Sequence, residues 1–319
     1  MGVISRILNL LVDLLGLIPI RVGQFFGRLL GRFLGIAAVG PMKSSLNGLR
    51  SVFGDRMTEE QLRSLNRRVV MHFAQMLFEV PHILKLNLEN LHRYVFFENE
   101  EALRDALARG KGCFILTGHF GNWELMSAAV TLRFQTSGIA VARPADFAPV
   151  EDLLLRLRTR FGTEIIPKKK AMKKLLMGTR KNKAMGILLD QNVDWYEGVF
   201  VPFLGQPACT NKGLALIAMK TGAPVIPVFS ARQPDGRYRV VFEKEVELVR
   251  SQSKLADVEE NTALFNRIIN KYIYWYPEQW FWFHKRWKTR AFCPYPRQCH
   301  IFQTVTVSRK GAKPQKGAF

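Results

Sequence analysis

GCFILTGHFGNWELMSAAV, Gly112 to Val130, decides the reading of this chain. CFILT at 113–117 has the length and apolar character of a short buried strand. Gly118 and Gly121 bracket a turn that holds His119, and Asn122 stands where a helix cap belongs. Strand, turn and helix in that order form one α/β unit, and the texture continues on both sides of it. Short apolar runs at 139–142 (IAVA), 164–166 (EII), 184–190 (AMGILLD) and 224–229 (PVIPVF) alternate with helical patterns. A further strand is expected in YRVVFEKEVEL at 238–248, after the turn signal Pro234-Asp235-Gly236, and a helix from Val258 to Tyr276 before Pro277. This alternation predicts an α/β domain over 94–291 whose central sheet is mostly parallel and flanked by helices.

Upstream, residues 41–93 read as a helical prelude. Thr58-Glu59-Glu60-Gln61 resembles a capping box, and the periodic stretch it opens ends near Pro81. Residues 1–40 differ in kind. ILNLLVDLLGLIPI at 7–20 is interrupted by Asp13 and Pro19, and RVGQFFGRLLGRFLGIAAVG follows at 21–40, so neither half is an uncharged apolar span of membrane length. Arg21, Arg28 and Arg32 share one helical face while Phe25, Phe26, Leu29, Leu30 and Phe33 crowd much of the rest. That pattern predicts N-terminal amphipathic helices in the headgroup layer of a membrane, against the plainer alternative of a helix packed on the domain. No small-residue cleavage site follows, and Arg6 stands where a myristoylation start needs Ser or Thr. The tail, 292–319, is basic and expected to be poorly ordered.

Composition narrows the function. Of 319 residues, 47 are Lys or Arg and 26 Asp or Glu, a formal charge of +21, and 48% hydrophobic content excludes a disordered or collagen-like polymer. Four cysteines without a dense framework fit a reducing, cytoplasm-facing environment. The charge will draw an acidic partner: nucleic acid, anionic lipid or an acidic protein. The apolar N-terminus favours lipid.

His119 and Glu124 are the residues suited to chemistry. Five positions apart on one regular helix they would lie about 140° apart around the axis and could not pair. With His119 on the turn and Glu124 in the first helical turn, the chain folds back and the carboxylate can accept one ring N–H. The other ring nitrogen is then free as a general base. The competing reading is a turn histidine with Glu124 merely complementing the helix dipole. The chain has no G-x-S-x-G elbow, glycine-rich phosphate loop or H-E-x-x-H, and Cys293, Cys299 and His300 lack a second ligand pair, so no metal site is expected.

GHFGNWE at 118–124 resembles the H-x4-D/E motif of the bacterial lipid A biosynthesis (late, lauroyl/myristoyl) acyltransferases. The resemblance continues in VARP at 141–144, LLDQ at 188–191, GVFVPFLGQPACTNKGLALIAMKTGAPVIPVF at 198–229 and PEQWFWFHKRWKTR at 277–290, in family order over about 1–291. It implies a glycerol-phosphate-acyltransferase-like fold on the cytoplasmic face of the inner membrane. The implied reaction moves an acyl chain from acyl carrier protein to a hydroxyl of a membrane glycolipid, most simply a lipid A precursor. The acyl thioester is a co-substrate, no other cofactor is implied, and no acyl-enzyme is needed. His119 stands at the family's general base and Glu124 at the residue that orients it. Arg143 matches an arginine placed to hold a phosphate of the acceptor or of the carrier's pantetheine arm. Asp190 and Gln191, ending a strand, are assigned to substrate positioning or to bracing the catalytic loop. Phe200, Pro202 and Phe203 match an apolar stretch able to line an acyl groove.

Arg286 and Lys288, set among Trp280, Trp282 and Trp287, mix cations and indoles as interfacial segments do, and Arg286 is assigned to substrate. The basic run KKKAMKK at 168–174 suits docking of an acidic carrier or an anionic membrane surface. The chain departs from the family's usual spelling at Ala145-Asp146-Phe147 and at Leu204. Three alternatives remain: acylation of another lipid such as a phosphatidylinositol mannoside or an aminolipid, a non-catalytic membrane scaffold, and nucleic-acid binding. The last is not expected, since no nucleic-acid module is recognisable.

Overall fold

The computed structural model describes residues 2–36, 40–168 and 171–291. The basic tail, with Cys293, Cys299 and His300, lies outside the described residues, as do Lys169 and Lys170 of the basic run.

Four helices come first: α1 (Val3–Leu15), α2 (Ile20–Ile36), α3 (Gly40–Phe53) and α4 (Glu59–Glu79). The capping box is present at the start of α4, where the Thr58 hydroxyl accepts from the Gln61 N–H and the Gln61 side chain accepts from the Thr58 N–H. The strands are β1 (Val95–Glu98), β2 (Cys113–Thr117), β3 (Gly138–Ala142), β4 (Glu164–Pro167), β5 (Ala184–Leu188), β6 (Gly198–Phe203), β7 (Gln206–Asn211), β8 (Val225–Arg232) and β9 (Tyr238–Phe242). Helices α5 (Glu101–Ala108), α6 (Trp123–Phe134), α7 (Ala148–Arg158), α8 (Ala171–Arg180), α9 (Gly213–Thr221) and α10 (Lys254–Trp275) separate them.

Seven strands form the central sheet in the order β1-β9-β8-β2-β5-β3-β4. β8, β2, β5, β3 and β4 run parallel, while β9 pairs antiparallel with β8 and carries β1 with it. Hydrophobic clusters cover both faces of this sheet, and α3 and α4 contribute Leu49, Phe53, Leu65 and Val69 to one of them. β6 and β7 form a separate hairpin whose two-residue turn, Leu204-Gly205, has positive φ at both positions (49° and 80°), the left-handed backbone such tight hairpins demand.

α2 is packed on the domain. Gly23, Gly27, Gly31 and Gly35 recur every four residues on one face, and α4 presses against that face so closely that a Cβ on Gly27 would stand 2.5 Å from the Gln75 Cα and one on Gly31 2.5 Å from the Met71 Cα. The opposite side exposes Phe25, Phe26, Leu29 and Phe33, the last 66% accessible, together with Arg21, Arg28 and Arg32. α1 likewise exposes Val3, Ile4, Ile7, Leu10, Leu11 and Leu14, while Ser5, Asn9 and Asp13 bond to Asp152 and Arg156 of α7. Asp13, the charge that interrupts the first apolar run, is therefore paired on the protein side. No single described helix is long and apolar enough to cross a membrane, and α1 and α2 meet at a bend of 116°.

Candidate active site

Register explains the site. β5 lies beside β2 with Thr117 opposite Leu188, so the residue two beyond each strand end, His119 and Asp190, come together although they are 71 positions apart in sequence. The Leu189 N–H donates to the Thr117 carbonyl and extends the pairing past the strand ends. Asp190, wholly buried, accepts from the His119 backbone N–H (2.8 Å), from the His119 ring at Nδ1 (2.8 Å) and from the Trp280 indole N–H (2.7 Å). Burial by itself would raise this carboxyl. The facing charge and hydrogen bond of His119, the charge of His284 and the Trp280 indole outweigh it and hold Asp190 well below the ordinary carboxylate range. An ionised Asp190 places the proton on Nδ1 and leaves Nε2 with its lone pair outward, where the Gln191 side-chain amide sits at 3.3 Å.

The turn that carries His119 is held on every side. Gly121 has φ +60°, and any Cβ there would meet the Ser230 carbonyl at 1.7 Å. The segment after α10 pairs with the turn as a short bridge: the Phe281 N–H donates to the His119 carbonyl and the Gly121 N–H to the Gln279 carbonyl. Asn122 caps α6 as expected, its side-chain oxygen accepting from the Leu125 N–H. Trp123 and Phe281 pack around the imidazole, with ring centroids 5.0 and 6.2 Å away. Trp123 also lines an apolar cavity between α6 and the sheet, shared with Met126, Val130, Ile115, Ile139 and Leu188, where Gly138 and Gly186 leave room above the strands.

The carboxylate that serves the imidazole is thus Asp190, and the expected pairing of Glu124 with His119 is corrected. Glu124 is turned to α7, where Arg158 grips it through Nε (3.0 Å) and Nη2 (2.5 Å) and the Trp123 indole N–H also donates to it. The fold-back inferred for the turn is real, but a guanidinium reaches the carboxylate. Arg158, one of two arginines in an amphipathic helix, carries no sequence signal of this role.

Of the assigned pair Asp190-Gln191, the bracing function is the one the geometry displays. Arg286 differs from its assignment: fully buried, it donates to the carbonyls of Gln191 and Cys209 and to the Thr210 hydroxyl and stacks 4.5 Å above Phe203, bracing the Asp190-Gln191 loop from behind. Burial brings its pKa down to about 10. Trp280 and Trp282, expected in an interfacial segment, are core residues. Phe203 is buried against Trp280, and neither it nor Phe200 lines the apolar cavity, because both lie on the β6–β7 hairpin. Arg143 is exposed and paired with Asp146 at 2.5 Å. Lys168 pairs with Glu197, and Lys174 and Lys183 with Glu164.

A family model described as bacterial lipid A biosynthesis acyltransferase matches residues 3–289. The lipid A biosynthesis lauroyltransferase of Escherichia coli (strain K12) is 30% identical over 192 residues, 60% of this chain and 60% of that protein. A lipid A biosynthesis acyltransferase of Haemophilus influenzae is 25% identical over 279 residues, 87% of this chain and 85% of that one. The match thus spans three-fifths of the length of the first relative and most of the second. Among solved structures, the 1-acyl-sn-glycerophosphate acyltransferase of Thermotoga maritima aligns with 85% of this chain and 97% of its own, at 16% identity and a TM-score of 0.38. With nearly its whole length matched, the chain belongs to the bacterial lipid A biosynthesis acyltransferase family.

Proposed function

We propose that this protein transfers a fatty acyl chain from an acyl carrier protein thioester to a hydroxyl of a membrane glycolipid, a lipid A precursor, with His119 as general base and Asp190 as its orienting carboxylate. One observation carries the reading: an imidazole held at Nδ1 by a buried, ionised carboxylate, with Nε2 facing the Gln191 amide at 3.3 Å and the ring packed on Trp123, which also lines an apolar cavity. The acceptor hydroxyl takes the place of the Gln191 amide at Nε2 and gives up its proton there. The oxygen attacks the thioester carbonyl, the tetrahedral intermediate expels the carrier's thiolate, and the imidazolium returns the proton to that sulfur. No enzyme-bound acyl group forms.

The apolar lining that Trp123 shares with Met126 and Ile139 has the chemistry an acyl chain needs, and the small cavity there would have to widen to admit one. Glu124, bonded to Arg158 and Trp123, positions both of those side chains near the turn. The outward apolar faces of α1 and α2, rimmed by Arg21, Arg28 and Arg32, suit a helix pair lying in an anionic headgroup layer and support a reaction at the inner membrane's cytoplasmic face. The uncompensated positive charge suits an acidic carrier.

Acyl transfer in detergent micelles tests this, offering labelled acyl carrier protein and acyl-coenzyme A donors with under-acylated lipid A precursor and with total phospholipid. Product identified by mass spectrometry on the lipid A precursor, from the carrier donor and lost in His119→Ala, is the expected result. Transfer that survives in folded His119→Ala would remove the general base from the scheme. Product formed only on phospholipid would move the acceptor to another lipid.

A further inference from the structure

Joined to the turn that carries His119 through Asn122 lies a second buried carboxylate that the reaction scheme does not use. Glu79, the last residue of α4, is completely inaccessible and accepts four hydrogen bonds. They come from Gln24 Nε2 of α2 (2.8 Å), Asn122 Nδ2 (3.3 Å), Arg232 Nη2 (2.8 Å) and the Tyr238 hydroxyl (2.7 Å). Arg232 in turn donates from Nη1 to the Gln75 side-chain oxygen (2.6 Å) and to His72 Nδ1 (3.0 Å). His72 faces the Gly121 carbonyl with Nε2 at 3.2 Å. Buried beside a guanidinium, His72 is held neutral, its pKa pushed well below the ordinary imidazole value. Accepting at Nδ1 therefore leaves Nε2–H to donate to Gly121. Three of these arms end at residue 121 or 122, two and three positions after His119, or at α2, and the fourth, Tyr238, anchors the carboxylate to β9.

A buried ion pair is weak grounds for stability, because desolvation cancels much of its attraction, and well-packed apolar residues often replace such a pair at no loss. What apolar residues cannot reproduce is direction: four donors aimed at one carboxylate fix where each donor stands. Here two of those lines fix the turn and one fixes α2, whose glycine face is already pressed on α4.

We propose that Glu79 is a positioning residue for the reaction, holding the His119 turn through Asn122 and, by way of Arg232 and His72, through Gly121, and tying that turn to the outward-facing helix α2 through Gln24. The proposal rests on the acyl-transfer reading for its kinetic consequence, and on geometry alone for the hold on His119.

Three variants of the full chain in micelles test it: Glu79→Gln, the pair Glu79→Met with Arg232→Met, and Gln24→Leu. The expected result is a kcat lowered about 10- to 100-fold in the first two, the scale of a small misplacement of a reacting group, with KM for the acyl donor little changed. Gln24→Leu, which cuts only the α2 arm, is expected to lower kcat by a smaller factor. The double Met variant separates positioning from stability. If it melts with the wild type and also turns over like the wild type, Glu79 is structural only and the proposal falls. If Glu79→Gln fails to fold, the double variant decides alone, and if both fail, a wild-type kcat in Gln24→Leu overturns the link to α2. Carbon-13 spectra of histidine-labelled protein, with His119 assigned by its loss in His119→Asn, read the hold without any reaction. A His119 ring signal that does not move in Glu79→Gln or the double variant refutes the proposal. If wild type shows no transfer while the ring signal does move, the reaction reading fails and the positioning stands.

Discussion

Asp190 and Glu124 are two buried carboxylates near one turn, and their surroundings set them to different work. Asp190 accepts only from neutral groups and from the imidazole, so its charge is spent on orienting His119. Glu124 is engaged by a guanidinium and an indole, and its partners draw it toward α7 and away from His119. The lesson is that nearness along the chain is a poor guide to which acid serves a base. Glu124 is five residues from His119 and turned to another helix, while Asp190 is 71 residues away and bonded to it.

Substitution should break this comparison most sharply at Asp190. Asp190→Asn keeps the shape but can donate to Nδ1 and so favours the wrong tautomer; a fall in kcat of about 10⁴-fold is expected, as for the equivalent change in a serine protease triad. Steady-state transfer assays check it, and a kcat near wild type would return the orienting role to Glu124. Glu124→Gln is expected to cost less, about tenfold to a hundredfold, by loosening Trp123 and Arg158. Exchanging the pair as Glu124→Arg with Arg158→Glu should recover part of the loss if the ion pair is what matters.

Stability against pH sharpens the contrast without any substrate. Asp190 has its folded pKa below the ordinary 3.8, so its contribution is complete above that value and is lost as pH falls through the acid range. His72 and His284 are lowered from 6.5 by burial, so the unfolded chain takes up protons first and stability starts to decline as pH drops below 6.5. Thermal melts across that range should show both limbs in the wild type, and Asp190→Asn should weaken the more acidic one, to which the lowered carboxyls of Glu164, Asp235 and Glu243 still contribute. The smallest effect is expected at Arg143→Ala, since an exposed ion pair with Asp146 contributes little. An unchanged melt with a raised KM for the acceptor would instead give Arg143 the phosphate contact that its place after β3 suggested.

Asp190 was legible as a brace because LLDQ ends a strand, but nothing in the sequence says that β5 is inserted between β2 and β3 and therefore beside His119. The β6–β7 hairpin hid its turn, because Leu204 is an unexpected residue for a positive φ. α2 shows the reverse case. Its glycines at 23, 27, 31 and 35 are a local packing signal, but the arginines and phenylalanines beside them point to lipid more loudly, and only the contact with α4 shows which face is buried. Trp280 read as an interfacial indole because aromatic and basic residues alternate around it, whereas in the fold its N–H is the third donor to Asp190.

The sequence by itself determined the α/β alternation, the capped helix after the GHFGN turn, the amphipathic N-terminus and the placing of His119 on that turn, because periodicity, capping and turn chemistry are local properties. Which carboxylate faces His119, what Glu124 and Arg286 hold, and which face of α2 is buried were decided only by tertiary structure. Those choices follow from strand order and helix packing, and they depend on contacts between residues that the chain brings together from far apart.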